Sequence, residues 1–160
     1  MRDSHDLITP TRFDVIIKYM YAKAINNGYG TTYFHDVYKE HLRVWNGFKE
    51  YNNPNKVTFE SFDSIFKQLI YDIGSKGFDP EISKIPIYKN KYLLNGAHRL
   101  ASAMVHNTKV HCFEGVNGKD GQLDCGYDMF NRLGFDDNYS DRTAIEYAKL
   151  KDNTHMVFIF

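Results

Sequence analysis

The sequence has only two cysteines, and it carries no excess of charge of either sign. Cys112 and Cys125 lie in neither a CxxC pair nor a histidine-rich metal spacing, and two thiols are too few for a disulfide-stabilised scaffold. We therefore expect two reduced thiols and no metal site. The 20 lysines and arginines balance the 20 aspartates and glutamates, so counterion release alone would not hold a polyanion. Generic nucleic-acid binding is disfavoured, whereas a local basic patch is not.

The sequence also lacks the features of exported and membrane-spanning proteins. The stretch from Met1 to Asp6 is not a cationic segment followed by an apolar run, as a signal peptide would be. No apolar run approaches the ~20 residues that span a bilayer. The sequence therefore predicts a cytoplasmic protein with no membrane partner.

Aromatic residues are abundant, with 12 tyrosines and 12 phenylalanines in 160 residues, and they supply the apolar area for one well-packed core. Apolar residues recur at helical spacing in three segments of the first half. The first predicted helix is capped at Thr9, has Pro10 in its first turn and ends at Asn26-Asn27-Gly28. The second spans residues 33–49, and the third follows the break at residues 52–55 and stops between residues 74 and 77.

The pattern changes after Pro80 to short strands that alternate with helices. Residues 85–88 and 92–94 flank Lys89-Asn90-Lys91 like the two strands of a hairpin. We predict a helix over 97–105, a strand over 109–113, a glycine- and aspartate-rich loop over 114–126, helices near 128–133 and 140–149, and a closing strand over 155–160. That last strand has no polar terminator, which leaves open a longer native chain with an additional domain, or a homodimer.

A strand, a tight turn and a helix start follow one another at Asn95-Gly96-Ala97-His98-Arg99. Glycine permits a positive φ, and the first N–H groups of a helix have no intrahelical partners, so phosphate is the natural ligand of such a turn. Arg99 adds a forked, permanently charged donor for phosphate oxygens, and His98 can donate, accept or carry a proton near neutral pH. The alternative is an ordinary turn with solvated side chains.

The stretch from Phe62 to Asn107 resembles the core of the ParB and sulfiredoxin superfamily. It has that family's order: an amphipathic helix that ends in glycine, a strand with proline before it, a second strand, and a turn of glycine, any residue, histidine or arginine, and arginine that opens a helix. The resemblance implies an α+β fold, a small ParB/sulfiredoxin-like mixed sheet with packed helices. The resemblance leaves residues 1–51 and most of 114–160 unexplained. We predict an N-terminal helical extension over residues 1–51 and a ParB/sulfiredoxin-like domain over 52–160, in one compact unit.

Departures from the family narrow the function. Sulfiredoxins have a cysteine immediately before the histidine-arginine pair, and Ala97 at that position excludes their reductase chemistry. Chromosome-partitioning ParB proteins have a glycine-glutamate-arginine-arginine turn, which Ala97-His98 does not match, and a helix-turn-helix domain that this chain lacks. The relatives that remain are free-serine kinases and ParB-like nucleases.

The resemblance implies a nucleotide-dependent kinase that transfers a phosphoryl group from ATP or another nucleotide, with Mg²⁺, to a hydroxyl of a small, serine-like metabolite. In the family's serine kinases an acidic residue ahead of the amphipathic helix is catalytic, and Glu60 stands at about that place, with Glu50 as a less favoured substitute. His98 is the second expected catalytic residue. Lys56 is expected to contact phosphate together with the turn. Glu60 is also explained by a favourable position in the first turn of a helix.

Two other readings stay open from the sequence. One is a non-catalytic module of the ParB type that binds a nucleotide or DNA, although the neutral net charge weighs against DNA. The other is a ParB-like nuclease, which would need a dense acidic, metal-binding cluster beside the turn. Several aspartates crowd the C-terminal third, and we read them as solvated loop residues and helix caps: Asp124, Asp128, Asp136, Asp137 and Asp141.

Overall fold

A computed structural model describes residues 1–51, 53–89, 91–115 and 124–151. In these ranges helices and a small sheet form a mixed α+β fold, as predicted. A short 3-10 helix, Ser4–Leu7, precedes the following elements: α1 Phe13–Asn27, α2 Thr31–Asn46, α3 Phe59–Lys76, β1 Ile85–Tyr88, β2 Tyr92–Leu93, α4 Ala97–Val105, β3 Cys112–Glu114, α5 Tyr127–Arg132 and α6 Asp137–Leu150.

The first predicted helix starts later than expected. Thr9 does not cap α1, because its carbonyl accepts the N–H of Arg12 in a turn and its hydroxyl lies 3.1 Å from that of Thr11. The helix therefore begins at Phe13, and the prediction that Pro10 lies in its first turn was wrong. Its end was predicted correctly, since Gly28 adopts the left-handed conformation and closes α1.

The other helices lie close to their predicted places. In α3, Thr58 and Ser61 form a reciprocal capping box, and Gly77 ends the helix. The second helix ends at Asn46, three residues before the predicted Lys49, because Gly47 caps it with a φ of 59°. Helix α4 has the predicted bounds.

The three strands form one mixed sheet in the order β2-β1-β3. β1 pairs with β2 antiparallel, with Ile87 opposite Leu93, and with β3 in parallel, with Ile85 opposite Cys112. The strand predicted from Lys109 begins at Cys112, because Val110 instead forms an isolated antiparallel bridge with Arg2. The predicted closing strand, 155–160, and residues 116–123 of the predicted loop lie outside the described residues.

Helix α1 lies at the centre of the core. It is buried along almost its whole length and packs against α2, α3, α4 and α6. Val15 and Ile16 of α1 share one apolar cluster with Phe66 of α3 and Leu100 of α4. Residues on both sides of position 51 thus contribute to the same core, and the division into an extension and a domain stays a prediction.

Two further findings concern the described part of the chain only. No helix there is long and apolar enough to cross a membrane. Cys112 is half-buried, Cys125 is buried, and both are free thiols.

Candidate functional site

The turn between β2 and α4 has the backbone that the sequence predicts. Gly96 precedes the first residue of α4 with a φ of 92°, and its N–H donates to Oδ1 of Asn95 at 2.6 Å. This φ favours glycine, and a Cβ at Gly96 would lie 2.9 Å from Nη2 of Arg99, so that any other residue would also displace the end of the arginine side chain. The N–H groups of the first turn of α4, which have no partner within the helix, start at this point.

The turn forms one wall of a cleft of about 600 Å³. The expected phosphate-binding residues all line it: Asn95, Gly96, Ala97, His98, Arg99 and Lys56. The two acidic candidates differ in their position relative to the cleft. Glu50 lines the cleft, whereas Glu60 is exposed on the first turn of α3 and is not among the lining residues.

Lys56 is held in place at the cleft by two contacts. Its Nζ lies 2.7 Å from Oε2 of Glu50, and it lies 5.3 Å from the centre of the Phe62 ring. The Lys56 side chain is only 15% exposed, whereas that of Glu50 is 40% exposed. Lys56 is therefore a largely buried cation, and Glu50 is the more accessible partner.

Arg99 folds back over the turn. Its Nη1 donates to the hydroxyl of Ser83 and, at 3.0 Å, to the carbonyl of Lys84. Burial lowers the pKa of Arg99, but an arginine stays charged at any physiological pH. The guanidinium group carries five N–H donors, so these two bonds leave those on Nε and Nη2 for another acceptor.

His98 lies among aromatic side chains. Its Nε2 is 2.8 Å from the hydroxyl of Tyr38, and its ring packs against that of Phe66 at 4.8 Å. Burial is the main reason why the pKa of His98 lies well below its usual range, and the charges of Lys18 and Lys56 lower that pKa further. The ring is therefore neutral. Burial also raises the pKa of Tyr38, which stays protonated. We assign Tyr38 as the donor, so that the ring proton of His98 lies on Nδ1.

A second set of charged residues lines the cleft, and the sequence analysis did not single it out: it comes from the first turns of α1 and from Arg12, the residue before that helix. Arg12, Asp14 and Lys18 all line the cleft, and they are 4%, 6% and 4% exposed. Arg12 donates from Nε to Oδ1 of Asp14 at 2.7 Å and from Nη2 to Oδ2 at 2.9 Å, and its Nη1 donates to the carbonyl of Leu93. Because Leu93 belongs to β2, Arg12 ties α1 to the strand that leads into the turn.

Lys18 is fully engaged by its neighbours. Its Nζ donates to the carbonyl of Asp14 at 3.1 Å and to Oδ2 of Asp14 at 3.3 Å, and it lies 3.2 Å from Nε2 of His41. These three acceptors account for the three protons of an ammonium group. Burial alone would raise the pKa of Asp14, but Lys18 and Arg12 hold that pKa well below its usual range. Asp14 is therefore a permanent anion that fixes both cations.

One sequence signal could have revealed this network. Residues 13 to 22 are apolar around the whole circumference of the helix except at Asp14 and Lys18, which are one turn apart. A helix that is apolar on all sides is buried, and charged residues in a buried helix must be paired. Which side chain of another element joins such a pair does not follow from the spacing.

The cleft has an excess of positive charge. Four cations, Arg12, Lys18, Lys56 and Arg99, face two carboxylates, Asp14 and Glu50, among the described lining residues. The first turn of α4 adds the positive end of a helix dipole. The arrangement is suited to an anion with several oxygen acceptors.

Two of the acidic residues of the C-terminal third have structural partners. Asp136 caps α6 by accepting the N–H of Asn138 at 2.8 Å, and Asp141 accepts the hydroxyl of Tyr127 at 2.7 Å. Within residues 1–51, 53–89, 91–115 and 124–151, no three histidine, cysteine, aspartate or glutamate side chains are grouped as metal ligands.

Searches with protein-family models, with curated proteins and with solved structures gave no match to this chain.

Proposed function

We propose that the chain binds the phosphate groups of a nucleotide in the cleft at the N-terminus of α4 and transfers a phosphoryl group to a hydroxyl of a small metabolite. The observation that carries the proposal is the excess of cations over carboxylates around the open end of α4. Arg99 has donors left for phosphate oxygens, and the first N–H groups of α4 add backbone donors. The turn also resembles the phosphate-binding turn of the ParB and sulfiredoxin superfamily.

The burial of charged groups in the cleft supports an anionic ligand. Arg12 and Lys18 are almost completely buried, and the carboxylate of Asp14 contacts both. Removing charges from water costs several kcal/mol per ion, and a net positive site recovers part of that energy when an anion enters. The volume of about 600 Å³ falls within the range of small-molecule sites.

Glu50 is the better placed acidic residue for phosphoryl transfer. In that reaction the acceptor oxygen attacks the terminal phosphorus, the bond from phosphorus to the bridging oxygen of the nucleotide breaks, and the hydroxyl proton passes to a carboxylate. Glu50 lines the cleft beside Lys56, whereas Glu60 does not line it. Mg²⁺ would enter bound to the phosphates of the nucleotide and would keep several of its waters.

His98 does not act as a base in this arrangement. Its Nε2 is occupied by the hydroxyl of Tyr38, and its ring is neutral. The proton on Nδ1 can be donated to a phosphate oxygen or to the acceptor substrate. We therefore propose His98 as a hydrogen-bond donor of the site and Glu50 as the proton acceptor.

A second candidate function is nucleotide binding without chemistry. The ion pair between Glu50 and Lys56 at 2.7 Å favours it, because that contact occupies a carboxylate oxygen that a kinase would need to accept the hydroxyl proton. Such a module would bind the same nucleotide through the same residues and would release no phosphorylated product.

Titration of the purified chain with nucleotides tests both candidates. Thermal shift and calorimetry with ATP, ADP, CTP and GTP plus Mg²⁺ should show saturable stabilisation by at least one of them. Arg99→Ala should weaken that binding by about tenfold or more, the value of one or two charge-assisted hydrogen bonds. Arg43→Ala is the matched control, because Arg43 is exposed on α2 and its side chain contacts Glu40 outside the cleft.

The outcomes separate the candidates. Binding followed by transfer of labelled phosphate from the nucleotide to a hydroxyl acceptor would establish the kinase. Binding without transfer to any acceptor in a panel of serine, other hydroxy amino acids and sugars would favour the module. Absence of stabilisation by all four nucleotides would overturn both.

A further inference from the structure

A second cavity adjoins the cleft on the far side of Arg99. It has a volume of about 320 Å³ and lies between the C-terminal half of α3 and the loop that leads to β1. Its apolar lining consists of Leu69, Ile73, Phe78, Pro80 and Ile82. We name this cavity the apolar groove.

The apolar groove and the cleft share a wall. Leu69 and Arg99 line both cavities. Arg99 is fixed at this border, because its Nη1 donates to the hydroxyl of Ser83, which lines the groove, and to the carbonyl of Lys84. A ligand that contacts Arg99 from the cleft is therefore adjacent to the groove.

We propose that the apolar groove holds the base of the nucleotide whose phosphates occupy the cleft, an inference that rests on the proposed function. A nucleotide joins a polyanion to a flat, largely apolar ring. The cleft has an excess of cations, which suits the phosphates, and the adjoining groove is lined by apolar side chains, which suit the base. Phe78 and Pro80 offer ring surfaces for stacking. Ile82 is 82% exposed, which leaves its side chain free for burial by a ligand.

The rim of the groove selects among bases. Asp72 and Asp79 line it, and ionised carboxylates only accept hydrogen bonds. They suit a base with an exocyclic amino group, such as adenine or cytosine. Hypoxanthine and uracil present a carbonyl oxygen at the corresponding position, which carboxylates repel. Lys76, also on the rim, lies 3.3 Å from Oδ1 of Asp72 and offsets part of that charge.

Calorimetric titration of the full chain with matched ligands tests the proposal. The ligands are ADP and IDP, CDP and UDP, and pyrophosphate, which lacks a base. We expect ADP or CDP to bind about tenfold or more tightly than pyrophosphate, which corresponds to ~1.4 kcal/mol, and more tightly than its partner with a carbonyl group. Ile82→Ser should weaken binding of that nucleotide about fivefold and leave pyrophosphate unchanged.

Tyr71→Ser is the control, since Tyr71 is an exposed aromatic residue of α3 that is not among the residues lining either cavity. Equal affinity for pyrophosphate and the nucleotides would overturn the base site and leave the phosphate site intact. Base-dependent binding that Ile82→Ser does not change would place the base elsewhere and overturn the proposal. If none of the five ligands binds, the base site and the proposed function both fail.

Discussion

The hydroxyl of Tyr38 on α2 donates a hydrogen bond of 2.8 Å to Nε2 of His98 on α4. The two rings also meet edge to face, with centres 5.9 Å apart, and Tyr38 stacks on Tyr21 of α1. One phenol thus connects three helices and sets which nitrogen of His98 faces the protein. The rotamer and the tautomer of His98 therefore depend on α2.

Replacement of Tyr38 by phenylalanine removes that hydrogen bond and keeps the aromatic stack. Nε2 of His98 then loses its partner inside the protein, and we expect about 1–3 kcal/mol less stability. Urea unfolding of the variant measures this change. Nitrogen chemical shifts of the imidazole should show both tautomers in Tyr38→Phe and mainly the Nδ1-protonated form in the parent. A single tautomer in both would contradict the assignment.

Asp14→Asn tests the buried charge network of α1. The substitution leaves the cations of Arg12 and Lys18 without their shared carboxylate, and breaking a buried ion pair on one side costs about 3–5 kcal/mol. Denaturant unfolding should show a loss of that order. Glu40→Gln breaks an ion pair with Arg43 at the surface and should shift the midpoint far less. Equal small losses in the two variants would show that the network contributes little to stability.

Stability should fall as the pH is lowered from 8 to 5. Burial, together with Lys18, holds the pKa of both His41 and His98 well below the ordinary histidine value of about 6.5. As the pH falls through about 6.5, these histidines become protonated in the unfolded chain and stay neutral in the folded chain. The unfolded state therefore binds more protons, and the free energy of unfolding decreases as the pH is lowered.

The slope of the free energy of unfolding against pH approaches about 1.4 kcal/mol per pH unit for each histidine once the pH is below 6. Above about pH 7.5 both states are neutral at these sites, and this contribution to the slope vanishes. Urea titrations at pH 8, 7, 6 and 5 measure how the free energy of unfolding depends on pH. His98→Gln should reduce the slope of that dependence. A stability that is constant from pH 8 to 5 would show that both histidines accept protons in the folded state.

Glu50 and Glu60 give opposite expectations if the chain is a kinase. Glu50→Gln should reduce transfer of phosphate to the acceptor about 100-fold or more, as expected for loss of a general base. The variant should bind inorganic pyrophosphate more tightly, because Lys56 no longer has a carboxylate at 2.7 Å. Glu60→Gln should leave binding unchanged, since Glu60 is exposed outside the cleft lining. Loss of turnover in Glu60→Gln alone would restore the assignment based on the family resemblance.

By itself, the sequence determined the local structure of the site and much of the order of elements. Glycine at position 96, after a short strand and before an apolar repeat, predicts a turn and the start of a helix, and α4 has the predicted bounds. Gly28 and Gly77 likewise end α1 and α3, because their left-handed φ values stop a helix locally. These features depend on interactions within a few residues of one another.

Tertiary structure alone decided which charges meet at the turn. Asp14 and Lys18 lie about 80 residues before Gly96, and their approach depends on the packing of α1 against α4. Glu50 lines the cleft and Glu60 does not because of the course of the chain between α2 and α3, which no periodicity in the sequence encodes. Local rules fix turns and caps, whereas the partners of a buried charge depend on elements that are distant in the sequence.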